Sequence, residues 1–269
     1  MSLPRHCLPS ALAVALACLA GTATASDFPR LDQALPSNAD IGASIGAIHP
    51  VFDFDGDGCL PSAGISRYGE QNGGLAPSGS ITGGCRRVDF MAYSNTLHRY
   101  ACIDSGGSRY CGHFFALYML KDQISVFGGG HRHDWEHAAV WTRDGVVTHA
   151  GYSAHGKLYN AAASSLPMQN GHVKIVYHKD GIGTHALRFA SANEVAENPY
   201  GQFVLPALTS WYTLRGASLD NTAMRSRLNS YNYGSATIPM KDSNFLGNLN
   251  TYRPTGYPAF TQASIDASR

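Results

Sequence analysis

The chain has 269 residues, 44% of them apolar and 14% charged, with a formal net charge of +1 at pH 7. This length suits one domain with a sizeable core. The near-neutral balance offers no electrostatic footprint for nucleic acid or for a generally anionic surface.

The chain opens like a secretory signal. Arg5 and His6 give a short charged start, Leu12 to Ala20 is apolar, and Ala23-Thr24-Ala25 is an A-x-A cleavage pattern. The apolar run is too short to span a bilayer, and no later stretch reads as a membrane helix. A secreted, extracellular product is therefore expected after loss of residues 1–25. That loss removes Arg5 from 20 basic residues and nothing from the 19 acidic ones, leaving an even balance.

Residues 26–45 lack periodicity and read as a flexible leader, with the domain proper over 46–269. Asp53-Phe54-Asp55-Gly56-Asp57-Gly58 resembles the start of a calcium loop, but the later glutamate is missing, and a polar turn is the alternative. Gly69 to Gly84 is rich in Gly, Ser and Asn and reads as loop. Strand-like runs follow at Val88 to Tyr93, Gly112 to Leu120, Ala138 to Thr142, Gly145 to Gly151, Val173 to His178 and His185 to Phe189. Short strands between glycine or charged turns point to a mostly β sandwich with peripheral helices. Asp220 to Asn229 reads as a helix capped by Asp220, with Ala223, Met224 and Leu228 as its buried stripe. Of six cysteines, Cys59, Cys85, Cys102 and Cys111 remain after the signal. An even number in a secreted chain predicts two disulfides in one of three connectivities.

The densest chemistry lies in Gly128-Gly129-Gly130-His131-Arg132-His133-Asp134-Trp135-Glu136-His137. As a helix it would set His133 and His137 at the spacing of zinc proteases, but Asp134 stands where that motif has glutamate. The glycines before it and Ala138-Ala139-Val140-Trp141 after it favour a strand. Alternation then places His131, His133, Trp135 and His137 on one side and Arg132, Asp134 and Glu136 on the other. Asp134 and Glu136 become paired hard-oxygen donors of the kind Mg²⁺ or Ca²⁺ prefers. His131, at the mouth of the glycine loop, can turn toward the same point.

Gly130-His131-Arg132-His133-Asp134-Trp135-Glu136 matches without a gap the signature heptapeptide of the necrosis- and ethylene-inducing peptide-like (NLP) cytolysins. The run Phe115 to Gln123 with its Lys121-Asp122 pair resembles the family's aromatic strand. Asn72-Gly73-Gly74-Leu75, Ser153-Ala154-His155, Ser210-Trp211, Tyr233-Gly234-Ser235-Ala236 and Asp242-Ser243-Asn244-Phe245 also resemble family segments, so the likeness runs from about Cys59 to Leu249. Two departures touch the rim: Met119-Leu120 precedes Lys121-Asp122 where the family has Phe-Pro, and Leu214-Arg215 replaces Leu-Pro.

The resemblance implies a β-sandwich and the pairing Cys59–Cys85 and Cys102–Cys111, as in four-cysteine members. It brings Asp122 to His131, Asp134 and Glu136 around a divalent cation, and three carboxylates with one imidazole suit a hard octahedral ion. Arg132 and His133 are expected to support the site by hydrogen bonds, and His155 to contact the ligand or its shell. His185 is a weaker candidate for the same role, with a strand histidine as the alternative. Trp211 reads either as an interfacial indole or as core. The implied function is non-enzymatic: a cytolysin binding the sugar headgroup of plant plasma-membrane sphingolipids, with peripheral membrane contact and subsequent leakage. The alternatives are a metal-dependent hydrolase or lyase with His133 or His155 as base, and a non-cytotoxic relative.

Overall fold

In the computed structural model, residues 25–39 and 42–269 are described; the expected signal peptide therefore lies, but for Ala25, outside the described residues. Short helices α1 (Leu31–Ala34) and α2 (Ala43–Ile48) precede strand β1 (Val51–Phe54). The long strands follow: β2 (Asn95–Ser105), β3 (Ser108–Ser125), β4 (Gly128–Arg143) and β5 (Val146–Ala154). Next come β6 (Lys157–Ala162), β7 (Met168–Gln169), β8 (His172–Lys179), β9 (His185–Phe189) and β10 (Ala207–Ser210). Helices α3 (Asn221–Ser230), α4 (Phe245–Tyr252) and α5 (Gln262–Asp266) close the chain.

Two sheets form the sandwich. The larger runs β10-β2-β3-β4-β5-β6, and the smaller joins β1, β7 and β9 to β8. Strand β9 packs against β5 and β4, which brings the small sheet over one end of the large one. Among the described residues no helix is long and apolar enough to cross a membrane.

The β3–β4 hairpin is the frame of the molecule. Its register is constant from Tyr110↔Arg143 through Asp122↔His131 to Ser125↔Gly128. Phe114, Phe115, Leu117, Tyr118, Val140 and Trp141 are wholly buried along it, so hairpin pairing and core formation coincide. At the β5–β6 end, His155 and Gly156 have φ of 49° and 76°. That pair makes a tight two-residue hairpin turn, and glycine at its second position carries the left-handed backbone without a Cβ clash. Both expected disulfides form, Cys59–Cys85 and Cys102–Cys111. The second links directly opposed residues of β2 and β3.

Several expectations change. Val88 to Tyr93 is not a strand; Phe90–Ala92 is a single 3₁₀ turn, set by one buried ring, Phe90, packed edge-on against Phe54 and Tyr200. The expected leader is anchored rather than free along its length: Leu31 is buried, its N–H donates to Asn95 Oδ1 at 3.1 Å, and Asn38 Nδ2 donates to Arg215 O at 2.9 Å. The expected helix is present as α3. Asp220 accepts the Ala223 N–H at 2.8 Å, and Met224 and Leu228 are buried.

Candidate functional site

A cavity of about 690 Å³ opens where β4, β5 and β9 meet the segment 235–252. Asp122, His131, Asp134 and Glu136 lie in its wall, with His137, Ser153, His155 and His185. Asp122 is 2% exposed, Asp134 4% and Glu136 8%, so three carboxylates share a nearly dry site. One ligand atom each from Asp122, His131 and Asp134 falls within 4.8 Å of the others, and this is the one such metal-capable group among the described residues.

Regular alternation would send His131 and Asp134, three residues apart, to opposite faces. His133 lies between them at φ 63°, an interruption that lets both reach the cavity. His131 thus leaves the side that simple alternation would give it with His133 and Trp135 and joins the carboxylates. Gly130 permits this close pairing, because a Cβ there would stand 2.2 Å from the Asp122 carbonyl oxygen, and its φ is 95°.

Hydrogen bonds fix each donor. His131 Nδ1 lies 2.7 Å from His133 O. A carbonyl only accepts, so Nδ1 donates to it, and the ring's other nitrogen, Nε2, lies 3.8 Å from Asp122 Oδ2. Tyr177 donates its hydroxyl to Asp134 Oδ2 at 2.9 Å. Ser153 donates to Glu136 Oε2. Asp122 Oδ1 accepts the His185 N–H at 2.8 Å and lies 2.8 Å from His185 Nδ1, while His185 Nε2 lies 3.0 Å from the carbonyl of Asp57. Acceptors thus face both ring nitrogens of His185. Burial works against its charge, but the hydrogen bond to Asp122 prevails and its pKa is raised.

Burial, then repulsion from Asp122, pushes the Asp134 carboxyl well above the usual range. Burial and Asp134 do the same to Glu136. Like charges crowded in a low-dielectric wall call for a proton or a cation. The donor set, carboxylate oxygens with one imidazole, fits a hard divalent ion.

The remaining candidates separate. Arg132 does not line the cavity; its Nη1 donates to Gly73 O and Gly74 O, each at 3.1 Å, and so holds the glycine-rich segment to β4. His133 bonds the Tyr118 hydroxyl at 2.7 Å, and burial lowers its pKa to about 4. His155 sits half-exposed on the rim, 2.9 Å from Asp180 Oδ2. Trp211 is fully buried and stacks near Arg99; the interfacial role is corrected to core. Asp53 accepts the backbone N–H groups of Glu197 and Asn198, and Asp55 pairs with Arg188 at 3.3 Å. Those side chains serve the protein's own bonds, and the calcium-loop reading falls. Tyr177 escaped the sequence reading because a core tyrosine on a strand carries no local sign of a carboxylate partner.

Comparison with known proteins agrees with this geometry. The family model described as necrosis inducing protein (NPP1) matches residues 44–252. NLP effector protein 2 of Phytophthora capsici is 28% identical over 214 residues, covering 74% of this chain and 74% of that one. The solved structure of NLPPya in complex with mannosamine superposes with a TM-score of 0.64 at 25% identity, covering 90% of this chain and 98% of the other. The structure of the non-toxic HaNLP3 protein, with a TM-score of 0.64 and 24% identity over 81% of this chain and 94% of that one, shares the fold. The chain belongs to this family of necrosis-inducing effectors, which are not enzymes.

Proposed function

We propose that, within this family, the protein acts as a secreted extracellular cytolysin. Its cavity takes up the sugar headgroup of a plant plasma-membrane sphingolipid, and membrane leakage follows. Asp122, His131, Asp134 and Glu136 would hold a divalent cation, Mg²⁺ or Ca²⁺, which when bound supplies a hard positive charge for sugar hydroxyl oxygens. The observation that carries this reading is the set of three buried carboxylates and one oriented imidazole in the wall of an open, polar cavity. The mannosamine complex of the related NLPPya supports a sugar as occupant.

The chain's own residues do the positioning. His185 fixes Asp122, Tyr177 fixes Asp134, and Ser153 fixes Glu136. Ser235, Ser243, Asn244 and Asn248 line the opposite wall and offer hydroxyl and amide groups to a polar ligand. No bond is broken in this account, and membrane attachment is peripheral. The test is dye leakage from vesicles containing plant sphingolipid, with Ca²⁺, Mg²⁺ or chelator. Leakage limited to sphingolipid vesicles and stopped by chelator is expected; leakage that persists in chelator contradicts the reading.

A further inference from the structure

The hairpin face that carries Asp134 continues toward the other end of the large sheet. Cross-strand partners share a face, and Asp134 pairs with Met119, so Leu117, Phe115 and His113 follow on β3 with Val140 and Thr142 on β4. From Asp134 to Thr142 is about 26 Å of strand. There a second cavity, of about 280 Å³, opens between the sheet and α2. Ile45 and Ile48 of α2 line it from above, with Tyr100, Arg109, His113 and Thr142 from the sheet. Buried rings, among them Phe115 with His49 stacked on it, fill the face between the two cavities.

His113 brings an unfilled hydrogen bond to this cavity. It is 6% exposed, and its Nδ1 lies 3.1 Å from His98 Nε2. His98 Nδ1 is buried without a partner. Burial pushes both imidazoles far below their ordinary pKa, so each ring is neutral and carries one proton. A sealed N–H without an acceptor is the rarer and costlier orphan than a sealed lone pair. His98 therefore keeps its proton on Nε2 and donates it to His113 Nδ1. The proton of His113 is left on Nε2, which has no partner among the described residues and belongs to a ring lining the cavity.

We propose that this cavity is a second ligand site, separate from the carboxylate cavity, which takes a small aromatic carboxylate. The anion is met by the Arg109 guanidinium and the His113 Nε2–H, and the ring packs on Tyr100, Ile45 and Ile48. Size selects a small molecule, because the volume falls just below the roughly 300–1,000 Å³ of drug-sized ligand sites. Charge selects a monoanion, because Arg109 is the single cationic side chain in the lining. Its ion pair with Asp104, at 3.2 Å between exposed side chains, is weak enough to share with a ligand. The wall selects a flat apolar body. Tyr100 and His113 stack at 5.2 Å with their planes 10° apart, a surface that another ring extends by offset stacking. A free phosphate or a sugar would leave that apolar wall uncovered.

The test is a titration of the full mature protein with benzoate, followed by ¹H–¹⁵N NMR, with benzyl alcohol as the neutral isostere. Benzoate should give saturable shifts at Ile48, Arg109, His113 and Thr142 while Asp134 and Glu136 stay unmoved. Benzyl alcohol should bind about tenfold more weakly, and Arg109→Gln should weaken benzoate by about the same factor. Arg109 is half-exposed, so that variant leaves the fold intact. His113→Phe keeps an aromatic ring but loses the donor, and should also lose benzoate; if it fails to fold, Arg109→Gln decides. Long-range ¹H–¹⁵N correlations read the His113 tautomer directly and should show the proton on Nε2. The site is overturned by shifts that do not saturate or that fall at Asp134 and Glu136. Equal binding of benzyl alcohol, unchanged binding by Arg109→Gln, or a His113 proton on Nδ1 overturns it as well.

Discussion

Strand β3 passes through two buried clusters of titratable groups, and they meet the cost of burial in opposite ways. Near the end of the strand, Asp122 faces Asp134 with Glu136 close by, and the carboxyl groups of Asp134 and Glu136 are pushed upward by burial and mutual repulsion. Farther back, His113 Nδ1 lies 3.1 Å from His98 Nε2, while His49 stacks on Phe115 at 5.3 Å. Burial lowers His49 and His113 to about 3 and drives His98 well below its ordinary value. The imidazoles shed their charge and join an aromatic stack. The carboxylates keep a geometry that favours a cation. The histidine cluster settles as neutral stacked rings, whereas the carboxylate cluster favours a charged partner.

The largest effect expected from breaking this contrast is at Asp134. Asp134→Asn should weaken cation binding about a hundredfold or more in calorimetry while raising the melting temperature of the chelated protein, since one of the repelling carboxylates is gone. A lower melting temperature in chelator would mean the cluster is structural after all. Next, saturating cation at 100 times its Kd should stabilise the wild type by roughly 2.7 kcal/mol over the chelated form, measured as a rise in Tm. His185→Ala should cost about 10–100-fold in cation affinity through loss of the Asp122 clamp, with the β circular dichroism spectrum retained.

The two clusters also predict opposing pH arms. The buried histidines have folded pKa values below the unfolded 6.5, so the unfolded chain binds more protons between pH 6.5 and about 3, and stability falls as pH falls through that window. The raised carboxyls of Asp134 and Glu136 act the other way: stability present below their unfolded values is lost as pH rises toward the folded ones. Chemical unfolding across pH should show both arms in chelator, and saturating cation should flatten the carboxylate arm alone. His113→Gln should reduce the acid arm. The smallest effect is expected at the solvent-exposed rim, where His155→Ala should change vesicle leakage only a few-fold.

Much of the site was legible because it is local. Six consecutive residues, His131 to Glu136, with Asp122 across the hairpin, carry the donors, and Ser153, His155, Ser235 and Ala236 reappear in the cavity wall. What stayed hidden depends on distant partners. Strand β2 buries His98 and Arg99, polar residues that break an apolar pattern; the His113 ring, the Met240 carbonyl and Asp242, 2.7 Å from Arg99, make them acceptable inside. Helix α4 contains Gly247, Asn248 and Asn250, all weak helix formers, and is held by the buried Phe245 and Leu249. The role of His185 depends on Asp122, 63 residues earlier in the chain, a distance no local pattern spans.

The most direct test of the central claim is a calorimetric titration of Ca²⁺ and Mg²⁺ into chelator-stripped protein, run in parallel on Asp134→Asn. The account predicts one saturable site in the wild type and its loss in the variant. No saturable binding in the wild type, or binding unchanged by the substitution, would contradict it.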